Sequence, residues 1–173
     1  RGGHYGIWVI NSDGGRLEKL IDSEKECLWP VWSPDGTHVA LVYDYFVGSR
    51  IVDLSGDDDN RAGKLLPRPD DAEASWGATS WSLDGTRLLG PFMKDGIRLG
   101  IATYSLETGT YEKITDRGYW TRWLGDGRRF VFVDQGKLFL GDATTKEISE
   151  ILSVSPNAIL DVAVAPGDRE IYF

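Results

Sequence analysis

The motif Trp32-Ser33-Pro34-Asp35-Gly36-Thr37 is written into this chain more than once. It returns as Trp81-Ser82-Leu83-Asp84-Gly85-Thr86 and as Trp123-Leu124-Gly125-Asp126-Gly127-Arg128. A worn fourth copy reads Val164-Ala165-Pro166-Gly167-Asp168-Arg169. The first residues lie 49, 42 and 41 positions apart. A period of about 40–45 residues made of short strands is the period of a propeller blade.

Each copy spells a hairpin turn. Pro34 presets φ at the first corner, Asp35 accepts from nearby backbone N–H groups, and Gly36 supplies the positive φ that closes the loop. Asp84 with Gly85, and Asp126 with Gly127, do the same work. A β-forming run follows every copy, for example His38-Val39-Ala40-Leu41-Val42-Tyr43 and Arg129-Phe130-Val131-Phe132-Val133. A second repeat lies between the first ones. Leu17-Glu18-Lys19-Leu20-Ile21-Asp22 matches Tyr111-Glu112-Lys113-Ile114-Thr115-Asp116, and 146–151 is a weaker version. Its alternation of apolar and charged residues fits an outer strand with one wet face.

Four strands per repeat follow. Inner strands are predicted near 29–34, 78–83, 120–125 and 159–165, and second strands near 38–44, 87–92, 129–134 and 169–173. Third strands fall near 5–11, 49–54, 97–105 and 137–142, and fourth strands near 16–21, 62–66, 110–115 and 147–153. No apolar 3.6-residue period runs through 11 residues, so essentially no α-helix is expected.

The pattern resembles the TolB-type, WD-like β-propeller repeat. The residues that carry the resemblance are Trp32 to Gly36, the strand Ile7-Trp8-Val9-Ile10-Asn11, and the turn Asp13-Gly14-Gly15 before a charged outer strand. The third copy departs from it with Gly125 in place of Pro. The fourth lacks the Trp and inverts Asp-Gly. The expected fold is an all-β β-propeller of four-stranded blades: three complete blades plus two half-blades. The expected blades are 1–22, 29–66, 78–115, 120–153 and 159–173. Family propellers have roughly six to eight blades. The loop-like start at Arg1-Gly2-Gly3 and the half-blades point to part of a larger propeller. A closed four-bladed ring and two chains sharing one ring are the other arrangements. The terminal half-blades are expected to pair with further chain or with a second copy.

The composition agrees and narrows the function. At 173 residues the chain suits one ordinary domain. Twenty-one glycines, seven tryptophans and one methionine favour tight turns between aromatic strands. A net charge of −8 argues against a nucleic-acid partner, which needs clustered Lys and Arg. No 18-residue apolar run is present, so no membrane insertion is expected. Cys27 is the single cysteine, which excludes an internal disulfide and a cysteine-based zinc site.

No residue pattern calls for catalysis. Only His4 and His38 are available as imidazole bases, and no Gly-x-Ser-x-Gly elbow occurs. The acidic run Asp57-Asp58-Asp59-Asn60, with Asp70, Asp71 and Glu73, lacks the alternating spacing of a calcium loop and reads as solvated. No catalytic residue, cofactor or metal is assigned. Trp32, Trp81 and Trp123 stand in register and read as a repeated core position between blades. Trp76, Trp120, Tyr45, Phe46 and Arg50 are candidates for an interaction surface. Trp29, Tyr43, Tyr119, Arg61 and Arg122 are further neighbours of that kind.

The expected function is therefore a non-catalytic binding or scaffold propeller whose loop ends meet a protein or peptide. The resemblance also implies modules attached to bacterial kinases and regulators. An alternative is the substrate-gating propeller of a prolyl oligopeptidase or tricorn-type serine peptidase, with its hydrolase domain encoded elsewhere. A third is a lyase or hydrolase acting at the central channel.

Overall fold

A computed structural model describes residues 5–55, 63–70, 74–154 and 158–173. His4, Asp57 to Arg61, Asp71 and Glu73 lie outside the described residues, as do the side chains of Tyr45 and Phe46. The architecture is almost wholly antiparallel sheet. An amino-terminal pair, β1 (Tyr5–Val9) and β2 (Glu18–Ser23), comes first. The first four-stranded blade follows: β3 (Cys27–Trp32), β4 (His38–Tyr43), β5 (Gly48–Asp53) and β6 (Lys64–Leu65), in that spatial order.

The second blade holds β7 (Ala74–Trp76), β8 (Ser80–Trp81), β9 (Arg87–Lys94), β10 (Ile97–Ser105) and β11 (Tyr111–Thr115). The third holds β12 (Tyr119–Trp123), β13 (Arg129–Asp134), β14 (Lys137–Asp142) and β15 (Ile148–Ser153). A carboxy-terminal pair, β16 (Ala163–Val164) and β17 (Ile171–Tyr172), completes the described strands. Among the described residues the two terminal pairs form separate sheets that are not hydrogen-bonded to each other.

Two features differ from the sequence reading. A four-residue helical turn, Asp44–Val47, joins β4 to β5 where only loop was expected. The inner strand of the second blade is also broken in two. Both β7 and β8 pair with β9, and residues 77–79 bulge between them while Gly77 N and Thr79 N still donate to Pro91 O and Leu89 O. That break has a counterpart in its neighbours. The register slips between Leu28 and Val31 in β3 and between Tyr119 and Arg122 in β12. Trp29 (φ 51°) and Trp120 (φ 50°) sit at these bulges in the left-handed region.

The core lies between blades, because each sheet is apolar on both faces of its middle strands. Val39, Leu41 and Val52 pack with Leu20 and Ile21 of the amino-terminal pair. Ala40 packs with Leu88, Trp76 and Tyr104. Leu89 and Ile101 pack with Phe130, Phe132 and Phe139. Val131, Val133 and Leu138 pack with Ile159 and Val162. Polar bonds fix the same interfaces. Ala78 N donates to Ser49 Oγ at 2.7 Å, and Trp123 N donates to Ser80 Oγ at 2.9 Å.

Candidate functional site

The repeated turns build the site. In the first blade Ser33 Oγ, Thr37 N and Thr37 Oγ1 donate to Asp35 Oδ1 at 2.6, 2.9 and 2.7 Å. The second blade copies this with Ser82 and Thr86 on Asp84 Oδ1 at 2.6, 2.9 and 2.8 Å. In the third, Leu124 and Arg128 replace the hydroxyls. There Arg128 N and Arg129 N donate to Asp126 Oδ1, and Arg129 Nε donates to Oδ2 at 2.6 Å.

These bonds favour the ionised carboxylates. Ser33, then Thr37, hold Asp35 down to about 2. Burial works against ionisation at Asp84 and Asp126, but Ser82 and Thr86, and the Arg129 groups, outweigh it and lower both.

All four motif copies converge on one end of the assembly. A cavity of about 300 Å³ there is lined by Trp32, Trp81, Trp123 and Val164, with Leu83 and Pro166 among the others. A groove of about 610 Å³ opens beside it between the first and second blades. Leu83 is 64% exposed at this face and Trp32 is 50% exposed. Sequence reasoning passed over Leu83. Its signal is an apolar residue at a turn corner where the first and fourth copies carry Pro34 and Pro166.

The three aligned tryptophans do not share one environment, which corrects the expectation of a uniform core position. Trp123 is 7% exposed, edge-on to Phe130 at 5.9 Å. Trp81 is half-buried and donates from Nε1 to Gly85 O at 3.1 Å. Trp32 stands half exposed because the sheet before it, β1–β2, presents no turn copy to cover the indole.

Nor do the surface candidates form one patch. Trp76 is 1% exposed and belongs to the core, a correction to its expected surface place. Its Nε1 donates to Gly90 O and Ala102 O at 3.0 and 3.1 Å, which lets the polar edge be buried. Arg50 is half-buried, its guanidinium 3.6 Å from the centre of the Tyr43 ring. Trp120 is half-buried and meets Trp29 edge-on at 5.1 Å. That pair closes a smaller cavity of about 160 Å³ with Thr79, Arg122 and Asp161. Both tryptophans stand three residues before the motif Trp, so their equivalence was visible in the repeat.

His38 Nδ1 is 2.7 Å from Thr37 Oγ1, while Ser33 Oγ donates to Asp35 and accepts from His38 N. The ring therefore faces a threonine, and the Ser–Asp–Thr network recurs in the second blade where Arg87 replaces the imidazole. Among the described residues, no group of three or more His, Cys, Asp or Glu is placed to hold a metal ion.

Sheets of four antiparallel strands stacked side by side, with repeated turns gathered at one end, define a β-propeller. Comparison with known proteins agrees. A 41-residue stretch, 24% of this chain, is 44% identical to the Tol-Pal system protein TolB of Methylobacillus flagellatus and covers 10% of that protein. An oligogalacturonate lyase solved in complex with manganese matches 94% of this chain and 48% of its own, with a TM-score of 0.66 and 14% identity. A puromycin-hydrolyzing peptidase of Mycobacterium tuberculosis matches 86% of this chain and 25% of its own, with a TM-score of 0.59 and 17% identity. The chain thus spans about half the length of the lyase. No family model matches the chain.

Proposed function

We propose that this chain is a non-catalytic propeller module that binds a protein or peptide on the face where its repeated turns converge. The observation that carries the reading is the 64% exposure of Leu83 beside the cavity that all four copies line. Exposed apolar residues gathered around a concavity mark interaction sites more often than scattered ones do. The Oδ1 atoms of Asp35 and Asp84 are occupied in identical turn networks, which supports a role in holding the turns over a catalytic one. The stretch shared with TolB supports a TolB-type repeat.

A second reading makes the chain a substrate-gating propeller of a serine peptidase with its hydrolase domain elsewhere. The likeness in fold to the mycobacterial peptidase favours it. We also read the pairs β1–β2 and β16–β17 as half-blades completed by further strands, from a longer chain or a second copy.

A displayed peptide library panned against the protein tests the binding reading. Peptides recovered should lose affinity with Trp32→Ala or Leu83→Ser and keep it with Glu150→Gln on outer strand β15. Peptides indifferent to both turn-end changes would overturn the reading.

A further inference from the structure

The groove between the first and second blades has a filled counterpart one blade further on. There Arg87 leaves the start of β9 and crosses to the third blade. Its guanidinium lies 5.0 Å from the centre of the Trp123 ring, and Nη2 donates to Gly127 O. The alignment of the motif copies gives the equivalent set in the open groove. His38 stands for Arg87, Trp81 for Trp123 and Gly85 for Gly127. All three line the groove of about 610 Å³. An imidazole is shorter than an arginine side chain and is turned toward Thr37 Oγ1. The position that a guanidinium fills in one interface is thus vacant in the other.

The walls of that groove suit the same group. The Trp81 indole offers a π face for a cation. Gly85 O accepts one bond from Trp81 Nε1, and a carbonyl oxygen has a second lone pair. Asp35 and Asp84 also line the groove and both are held ionised. The three bonds within the first turn all end on Asp35 Oδ1, and none of them uses Oδ2. Leu106 forms part of an apolar wall along which the methylene stem of a long cation would lie.

We infer that this groove is a receptor for an arginine side chain of the binding partner, which would seat its guanidinium between Trp81, Gly85 O and the Asp35 carboxylate as Arg87 seats its own in the next interface. The inference deepens the peptide-binding reading and rests on the turn-end face being the one used. The chain would thereby favour partners presenting an exposed arginine and discriminate against neutral or acidic ones.

The test uses N-acetyl-L-arginine methylamide, with the citrulline analogue as its neutral isostere. The indole N–H signals of Trp81 and Trp123 are followed by 1H–15N correlation spectroscopy. The arginine probe should shift Trp81 and bind about tenfold tighter than the citrulline probe, the scale of one desolvated cation–π contact. His38→Arg should fill the groove from within and weaken the probe by about tenfold or more. Asp35→Asn keeps an acceptor oxygen for the turn but removes the charge, and should also weaken the probe. Arg87→His should open the sister gap, so that Trp123 then responds to the probe. Equal binding of the arginine and citrulline probes, or probe binding unchanged by both His38→Arg and Asp35→Asn, would overturn the proposal. A silent Trp123 in Arg87→His would overturn the template behind it. Because the probe needs no partner, its failure and a failure to find any peptide ligand are separate results.

Discussion

Thr79 Oγ1 and Thr121 Oγ1 lie 2.7 Å apart in the buried interior, 42 residues apart in sequence. That separation equals the step between the second and third motif copies, so the same position of two successive inner strands bonds to itself across the blade interface. Thr121→Val should remove this bond, leaving Thr79 Oγ1 its longer one to Leu89 O, and cost about 0.5–1.5 kcal/mol. Removing both hydroxyls in Thr79→Val/Thr121→Val should cost less than the sum of the singles. Urea unfolding of the four proteins gives the coupling, and strict additivity would refute the pairing.

The turn aspartates should tie stability to pH on the acid side. Asp35 has a folded pKa of about 2 against an ordinary 3.8. A lowered carboxyl contributes stability that is full above the unfolded value and is lost as pH falls through the folded one. The loss from Asp35 therefore runs from about pH 4 down to pH 2. Asp35→Ala should lower the melting temperature at pH 7 and converge on the parent toward pH 2. A constant offset at every pH would contradict the assignment. Asp84→Ala should cost about 1 kcal/mol near neutrality, the scale of a lost local side-chain bond.

Trp76 is a core residue with a satisfied polar edge. Trp76→Phe keeps most of the apolar bulk and leaves Gly90 O and Ala102 O to their β9–β10 ladder, so it removes only the indole bond and should cost about 0.5–1.5 kcal/mol. Trp76→Ala adds a cavity and should cost about 3–5 kcal/mol. Thermal unfolding measures both, and a neutral Trp76→Phe would show that the two bonds contribute nothing.

Gly90 is required by a close approach rather than by its backbone angles. A Cβ there would collide with the Gly77 carbonyl, where the broken inner strand passes over β9. Gly90→Ala should destabilise by about 2–4 kcal/mol, while Gly85→Ala meets empty space and has only its positive φ of 75° to overcome. Equal melting temperatures for the two variants would contradict this.

The terminal pairs should exchange quickly if nothing covers them. Strands β1 and β17 are each bonded along one edge, whereas β13 is bonded along both. Amides on the free edges should exchange at least about a hundredfold faster than those of β13. Protection equal to that of β13 would mean that further strands complete the half-blades.

Much of this architecture was legible in the order of residues. The Asp-Gly turns and the β-branched and aromatic runs after them place β4, β9 and β13 to within two residues at either end. They do so because a hairpin is a local event, set by turn φ values and a two-residue side-chain period. The hydrogen bonds on Asp35 and Asp84 follow from the same short range. Burial is not local, and there the residue order misled. Trp76 and Trp120 look alike as aromatic residues near a blade entrance, yet one fills the core and the other meets Trp29. The difference arises because the second inner strand bulges at 77–79 and lies close over Gly90, a contact that exists only once two strands are laid together.

The groove at His38 has the same origin. The letter at that position was always visible. What it leaves open is defined by Arg87, Trp123 and Gly127, which become its template only when the blades stack and equivalent residues face equivalent neighbours. Turn chemistry fixes the repeat from within a few residues. Side-chain reach across an interface decides which of the resulting gaps are filled, and that depends on atoms some forty residues apart in the chain.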